Sequence, residues 1–569
     1  MSFIILMGTL IKNASKLLLS SLICVPLTAP GQWQHRLRHD PDSLVRGEVR
    51  SFLEFVPPIG YFPMRWSVDF QHPVDARWTL RSSVRSAESY RGDTQLADQA
   101  EWQIELQAGR SLEAEFYVPV RSFPGSYSTD STISVRGAGL IQDQFGVPWS
   151  NTRHSSGAGR LSFCVVSSAL VSGGWGQQGN LSGSLGAVGY FDYFPSHWLG
   201  LAAVDILAIT EDEWRTLEPA KRVVLEDWVA RGGALEIWKD AGRPIEEPRS
   251  IGLGRIVEEN LPEDRTKLDG LFQTRISALP STRPSLNSDL RDADGQATKL
   301  ADELGALEVP VVLLVVFLLV FALLIGPLNL FVLARGIGRA RLFITTPVIA
   351  IAASLFLGLL IVFSEGFGGR GIRTTLVVYA RESPKEITIM AQTARTSVLL
   401  SDQFEFPEPT LFLSAINAVP GMHQMTTLRE RGLHRNGDWF RSRAIQAHYA
   451  ERVRTTRSSV VHQGDVLQSN LDLNLQEVFF VKGPDDYWRG GPLASGGQVS
   501  LQKATRQEFL DWWAGENWHP RLQRAIKELG ERPPPGSYFG RTLGATGREI
   551  ESLQAIQWSD IGLVYGAVE

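Results

Sequence analysis

VPVVLLVVFLLVFALLIGPLNLFVLA, residues 309–334, carries no charged side chain. A helix needs roughly 20 such residues to cross about 30 Å of hydrocarbon, so this stretch predicts a membrane span. A second apolar run, FITTPVIAIAASLFLGLLIVFS at residues 343–364, follows almost at once and predicts another. The loop between them, 335–342, has Arg335, Arg339 and Arg341 as its only charges. Positive loops stay on the cytoplasmic side, so the pair reads as a hairpin whose two large flanks lie across the membrane.

The start of the chain fits that topology. Lys12 and Lys16 precede a short apolar run, LLLSSLICVPLTA at 17–29, that ends in small residues. A basic region, an apolar stretch of about 7–15 residues and a small-residue exit describe a secretory signal. Residues 1–31 are therefore expected to be a signal peptide or a retained N-terminal anchor, with Ala29-Pro30-Gly31 offering cleavage before Gln32. Cys24 lacks a lipobox, since Ser21 and Ile23 occupy the places where Leu and a small residue belong.

Composition describes folded domains outside a bilayer: 569 residues, 43% hydrophobic and 21% charged. A net charge of −5 gives no reason to expect nucleic acid. Of two cysteines, Cys24 falls in the signal, which leaves Cys164 without an intramolecular partner. Its apolar setting, Phe163-Cys164-Val165-Val166, reads as a buried strand where a thiol is inert.

Periodicity divides the flanks. Residues 46–160 alternate apolar and polar, as in Arg65-Trp66-Ser67-Val68-Asp69-Phe70, with turns at Pro57, Pro58 and Gly60. That pattern predicts an immunoglobulin-like β-sandwich. Residues 161–290 change to wholly apolar runs, FCVVSS at 163–168 and VDILAIT at 204–210, the pattern of parallel strands buried on both faces. Thr210 and Glu213 suit a capping box, Pro219 suits a first helical turn, and Gly232-Gly233 stops the helix before a strand ALEIW at 234–238. This is a β-α-β unit of a flavodoxin-like α/β domain. After the hairpin, residues 366–500 return to strands and predict a second β-sandwich. Residues 501–569 read as a helical and irregular end, with Thr505 and Glu508 as a capping box. Phe509, Trp512, Trp513 and Trp518 cluster there, either at lipid headgroup level or packing the helices onto the sandwich.

The stretches PSHWLGLAAVDILAIT (195–210), LEPAK (217–221) and LEDWVARGG (225–233) resemble the class I glutamine amidotransferase-like domains of bacterial membrane proteins. GPLN at 326–329, NLDLNL at 470–475 and GPLASGG at 491–497 extend the resemblance over residues 160–500. It implies an α/β domain, a transmembrane pair and a β-rich extracytoplasmic tail in one chain. A working amidotransferase needs a cysteine on a strand-to-helix elbow, with a histidine and a carboxylate to activate it. After 234–238 the chain instead reads Lys239-Asp240-Ala241-Gly242, and His197 is followed by Trp198-Leu199. The resemblance therefore implies a degenerate domain, with no catalytic, cofactor-binding or metal-binding residues assigned.

Other motifs have plainer readings. Gly174-Trp-Gly176-Gln-Gln-Gly179 matches a dinucleotide fingerprint, but the sequence after it reads as loop where that site needs a helix. His35 and His39 would share a helix face, yet an exposed basic tether suits their arginine-rich setting better. Asp485-Asp486 sits in a Gly/Pro turn where side-chain oxygens bond nearby backbone N–H groups. The expectation is a non-catalytic inner-membrane protein with periplasmic binding or scaffolding domains. Its partners would be the lipid bilayer and other membrane or periplasmic proteins. The alternative is a periplasmic hydrolase whose active site follows no familiar motif.

Overall fold

A computed structural model describes residues 33–57, 59–87, 95–121, 128–147, 163–170, 185–262, 304, 311–333, 342–381, 383–414, 426–431, 433–514 and 518–569. The fold is mixed α/β, with many strands in several sheets and two long apolar helices. The expected signal segment, the glycine motif at 174–179 and the loop 335–341 lie outside the described residues.

The N-terminal flank builds two facing sheets. One has the order Gln34–Arg36, Val45–Arg50, Ile59–Phe70, Arg110–Arg121. The other contains Gln95–Leu106, Ala76–Ala87, Ser128–Arg136 and Asp143–Val147. Alternation puts Trp66, Val68 and Phe70 inward on the first, and Trp78 and Leu80 inward on the second. Phe70 meets Trp78 edge-on at 6.3 Å between ring centroids.

The second of these sheets is not closed by its own neighbourhood. Thr426–Arg431 pairs in parallel with Gln95–Leu106, and His434–Gly437 and Phe404–Glu405 extend the sheet further. The boundaries at 46–160 and 366–500 therefore do not separate two sandwiches. A segment from beyond the helical hairpin completes a sheet that began before it. Side-chain ion pairs follow the strand pairing, including Arg431 with Glu105 at 2.5 Å.

The next sheet has six strands in the order Leu185–Gly189, Phe163–Ser167, Ile206–Thr210, Ala234–Lys239, Gly254–Asn260, Arg249–Ile251. All neighbours are parallel except the last pair. Counted along the chain, the five parallel strands run 2-1-3-4-5. The helix Pro219–Ala230 buries Val224, Leu225, Trp228 and Val229. Its end is fixed by Gly232 at φ +121° and by Gly233, where an added Cβ would strike the Trp228 indole at 2.3 Å.

The helices Val311–Leu323 and Leu342–Glu365 match the two predicted apolar runs, and no described side chain of either is buried. The first continues as a π-helical stretch, Leu324–Leu333, around Pro327, which has no N–H to give the carbonyl one turn back. Asn329 is wholly buried between the helices, donating to Thr346 Oγ1 at 2.9 Å and accepting from Thr345 Oγ1 at 2.7 Å.

After the hairpin comes a nine-stranded sheet with Gly369–Tyr379 and Ile556–Ala567 parallel at its centre. Residues 501–569 are thus not an irregular end. They supply a central strand, its partner Ser537–Arg541, and the helices Arg506–Ala514 and Pro520–Glu531. Phe509 and Trp513 are buried against Phe539 of that sheet, each with ring centroids 5.0 Å from it, and Trp513 Nε1 donates to Ile526 O. The aromatic cluster therefore packs helix onto sheet.

Candidate functional site

Open parallel sheets bind ligands beyond the carboxyl ends of their strands, where the strand order reverses. Here that point lies between Phe163–Ser167 and Ile206–Thr210. Ser167 is fully buried, and its hydroxyl donates to Glu213 Oε1 while accepting from the Ala169 N–H at 3.0 Å. Glu213 is also the acid of the predicted capping box. Its Oε2 accepts from the Thr210 N–H and hydroxyl, both at 2.9 Å, while Thr210 Oγ1 accepts from the Glu213 N–H at 3.1 Å. One carboxylate thus caps the short helix Glu211–Thr216 and ties strand to strand. These bonds engage both oxygens of Glu213.

The same edge carries charge farther along. Arg243 and Arg215 both pair with Glu211, and Lys239 pairs with Glu258 at 2.5 Å. Glu258 is pulled below the usual carboxylate range by Lys239 and a backbone N–H, which outweigh its partial desolvation. Sequence reading passed over Ser167, Arg243 and Glu258, because the partners of each lie on other strands or turns. The arrangement holds the edge by hydrogen bonds and ion pairs, and no cluster of three metal-ligating side chains occurs among the described residues.

Cys164 sits inside Phe163–Ser167, fully buried among Val166, Ile206 and Ala208. Burial, reinforced by Glu236 and Asp205, pushes its thiol well above the ordinary cysteine range. The sulfur therefore stays protonated at neutral pH.

Two other marked positions differ from expectation. His35 belongs to a strand, not to a tether: Gln34–Arg36 pairs with Val45–Arg50, His35 Nε2 bonds Asp143 at 2.8 Å, and its ring stacks on Phe145 at 4.0 Å. His39 lies past the end of that strand, in an isolated bridge to Leu140. Asp486 bonds Trp488 Nε1 at 2.8 Å and the Lys503 ammonium rather than turn N–H groups.

A buried polar contact joins the two flanks. Arg231, at the end of helix Pro219–Ala230, pairs with Glu451 of the strand Ile445–Thr455, and both side chains are almost wholly buried. Arg231 Nη1 also donates to Ala202 O at 2.8 Å, and Tyr449 donates its hydroxyl to Glu451. On the same helix Asp227 meets Lys385 of the nine-stranded sheet at 2.6 Å. Burial raises Asp227 above the usual carboxylate range, with Lys385 opposing it. Elsewhere Tyr61 donates to Phe412 O at 3.1 Å across the flanks.

No family model matches the chain, and no curated protein matches it. Solved structures give only faint likenesses. A Pseudomonas fluorescens alkylpurine DNA glycosylase bound to DNA containing an abasic site analog is 10% identical over 21% of this chain and 31% of that one, with a TM-score of 0.13. The Salmonella enterica trimeric lipoprotein SadB is 8% identical over 25% of this chain and 77% of that one, at 0.12. A Paenibacillus cycloisomaltooligosaccharide glucanotransferase is 11% identical over 34% and 27%, at 0.16. This chain spans less than a third of the glycosylase and of the glucanotransferase.

Proposed function

We propose that this chain is a non-catalytic, membrane-anchored platform of the bacterial inner membrane, with both large flanks in the periplasm. Its α/β unit is a degenerate, flavodoxin-like relative of the class I glutamine amidotransferase-like domains, kept as a binding module. The observation that carries this reading is the interlock of the flanks. A strand from beyond the hairpin, Thr426–Arg431, pairs within a sheet begun before it. A β-sheet cannot be divided by a bilayer, because its backbone bonds would be interrupted by hydrocarbon. If the hairpin spans a membrane, both flanks lie on one side, and the arginine-only loop assigns the other side to the cytoplasm. The buried thiol of Cys164 supports the loss of amidotransferase chemistry.

The test has two arms. A fluorescent protein that matures only in the cytoplasm is expected to glow at Gly338 and stay dark after Glu569, and the reverse pattern inverts the topology. Crosslinking in intact cells followed by pull-down is expected to retrieve a reproducible membrane or periplasmic partner. A broad hydrolase screen on the purified chain serves as its counterpart, and turnover that survives Cys164→Ala would establish the enzyme reading instead.

A further inference from the structure

A cleft of about 280 Å³ lies where the α/β unit meets the nine-stranded sheet. It opens at the amino ends of the parallel strands, away from the Ser167 and Glu213 edge. Ser250 and Arg255 line it from the α/β side, and Arg381, Tyr565, Leu529 and Pro534 from the other. Two features set its chemistry. The lining holds two arginines and no carboxylate. Neither arginine has an ion-pair partner among the described residues, and Arg255 Nε has no hydrogen-bond partner there. Guanidinium groups elsewhere at this interface are paired, as Arg231 is with Glu451. A cleft whose described residues offer its two cations no counter-charge favours an anion, and arginine presents a planar fork that suits carboxylate or phosphate oxygens.

The remaining walls are mixed, with Ser250, Ser537 and Tyr379 among apolar residues. Leu529, Pro534 and Tyr565 line the same space as Arg255. Burial pushes the Tyr565 phenol up to about 12, against the pull of Arg381, so it remains a hydrogen-bond donor at neutral pH. The volume falls just under the roughly 300–1,000 Å³ of ordinary small-molecule sites, which limits the occupant to a small molecule.

We propose that this cleft binds a small diffusible anion with an apolar body, a carboxylate or phosphate monoester, held between Arg255 and Arg381. The inference rests on the platform reading and gives that platform a ligand class. Each arginine belongs to a different flank, so an occupant bridges them. Arg381 follows the strand Gly369–Tyr379, which begins just after the second apolar helix. The cleft is therefore at the end of that strand away from the hairpin, about 35 Å along it at ~3.3 Å per residue. That distance favours a diffusible ligand over a lipid headgroup.

The test uses the full chain in nanodiscs of zwitterionic lipid. Phenyl phosphate is titrated by calorimetry, with benzyl alcohol as its neutral counterpart. Saturable binding of phenyl phosphate, absent for benzyl alcohol, is expected, and Arg381→Gln and Arg255→Gln should each weaken it about tenfold or more. Arg381 is exposed, so Arg381→Glu gives a charge reversal that keeps the test decisive should Arg255→Gln fail to fold. No binding, or equal binding by the arginine variants, overturns the proposal. Competition by phosphatidylglycerol vesicles as strong as by phenyl phosphate overturns the diffusible source. None of these failures touches the topology and partner tests of the platform itself, which are read separately.

Discussion

At the scale of single residues, burial decides what each titratable group does. His197 accepts from the Leu199 N–H at 3.4 Å and is held down to about 4 by desolvation. In the unfolded chain it titrates near ~6.5. Between those values the unfolded state binds the extra proton, so stability falls as pH drops from about 6.5 to about 4. His197→Asn keeps an acceptor for the cap and removes the titration. Thermal unfolding at pH 7 and pH 4.5 should show a smaller loss in the variant, and equal losses would rule out His197 as a source. Cys164 offers a second measurement. A maleimide at pH 7 should leave it unlabelled until denaturant is added, and Cys164→Ala should cost roughly 1–2 kcal/mol for a lost buried sulfur. Rapid native labelling would contradict its burial.

At the scale of elements, the hairpin shows how one polar side chain fixes two apolar helices. In the membrane setting proposed for the pair, lipid supplies no hydrophobic drive for helix association, so packing and interhelical hydrogen bonds must hold it. Asn329 makes two such bonds, to Thr345 and Thr346. Asn329→Leu should weaken the pairing by about 1–2 kcal/mol. Disulfide trapping between cysteines placed on the two helices would report it, and unchanged trapping would assign the pairing to packing alone. The two long apolar helices, the strands Phe163–Ser167 and Ile206–Thr210, and both capping boxes were legible in the sequence. Each is a local pattern of apolar run or cap residue. Leu185–Gly189 was not, because LGAVG reads as loop until a neighbour buries it: at Gly189 an added Cβ would lie 2.8 Å from Val165. Thr426–Arg431 was hidden for the opposite reason. Its sequence, TTLRER, is charged, and although one ladder partner, His434–Gly437, is adjacent, the other, Gln95–Leu106, and the ion-pair partner of Arg431 lie more than 300 residues earlier in the chain. Ile556–Ala567 opens with mixed residues, Ile556-Gln557-Trp558-Ser559-Asp560, that suit an edge, yet it runs through the centre of a sheet, where Asp560 meets the buried Arg373 at 2.6 Å. The paired edge of Ser167 and Glu213 was half visible, as a cap and not as a link between strands.

At the scale of the whole molecule, the flanks are joined by a shared sheet and by the Arg231–Glu451 pair. A buried ion pair is weak evidence of net stability, because removing two charges from water offsets much of their attraction. Breaking it is another matter. Among the described residues, Arg231→Met leaves Glu451 buried with its Tyr449 hydrogen bond and no cation, and should cost about 3–5 kcal/mol. Arg231→Met combined with Glu451→Met should recover much of that loss, since no charge is then stranded. Additive losses in the double variant would mean that the two residues do not act as a pair. The shared sheet makes a stronger demand. A protease site inserted at Gly338 would cut the chain between its helices without touching either flank. Because Thr426–Arg431 is hydrogen-bonded into the sheet of Gln95–Leu106, the two pieces should co-purify in detergent and unfold in one transition. Two separable transitions, or pieces that part on a column, would mean that the flanks fold as independent bodies, and the platform would lose its structural basis.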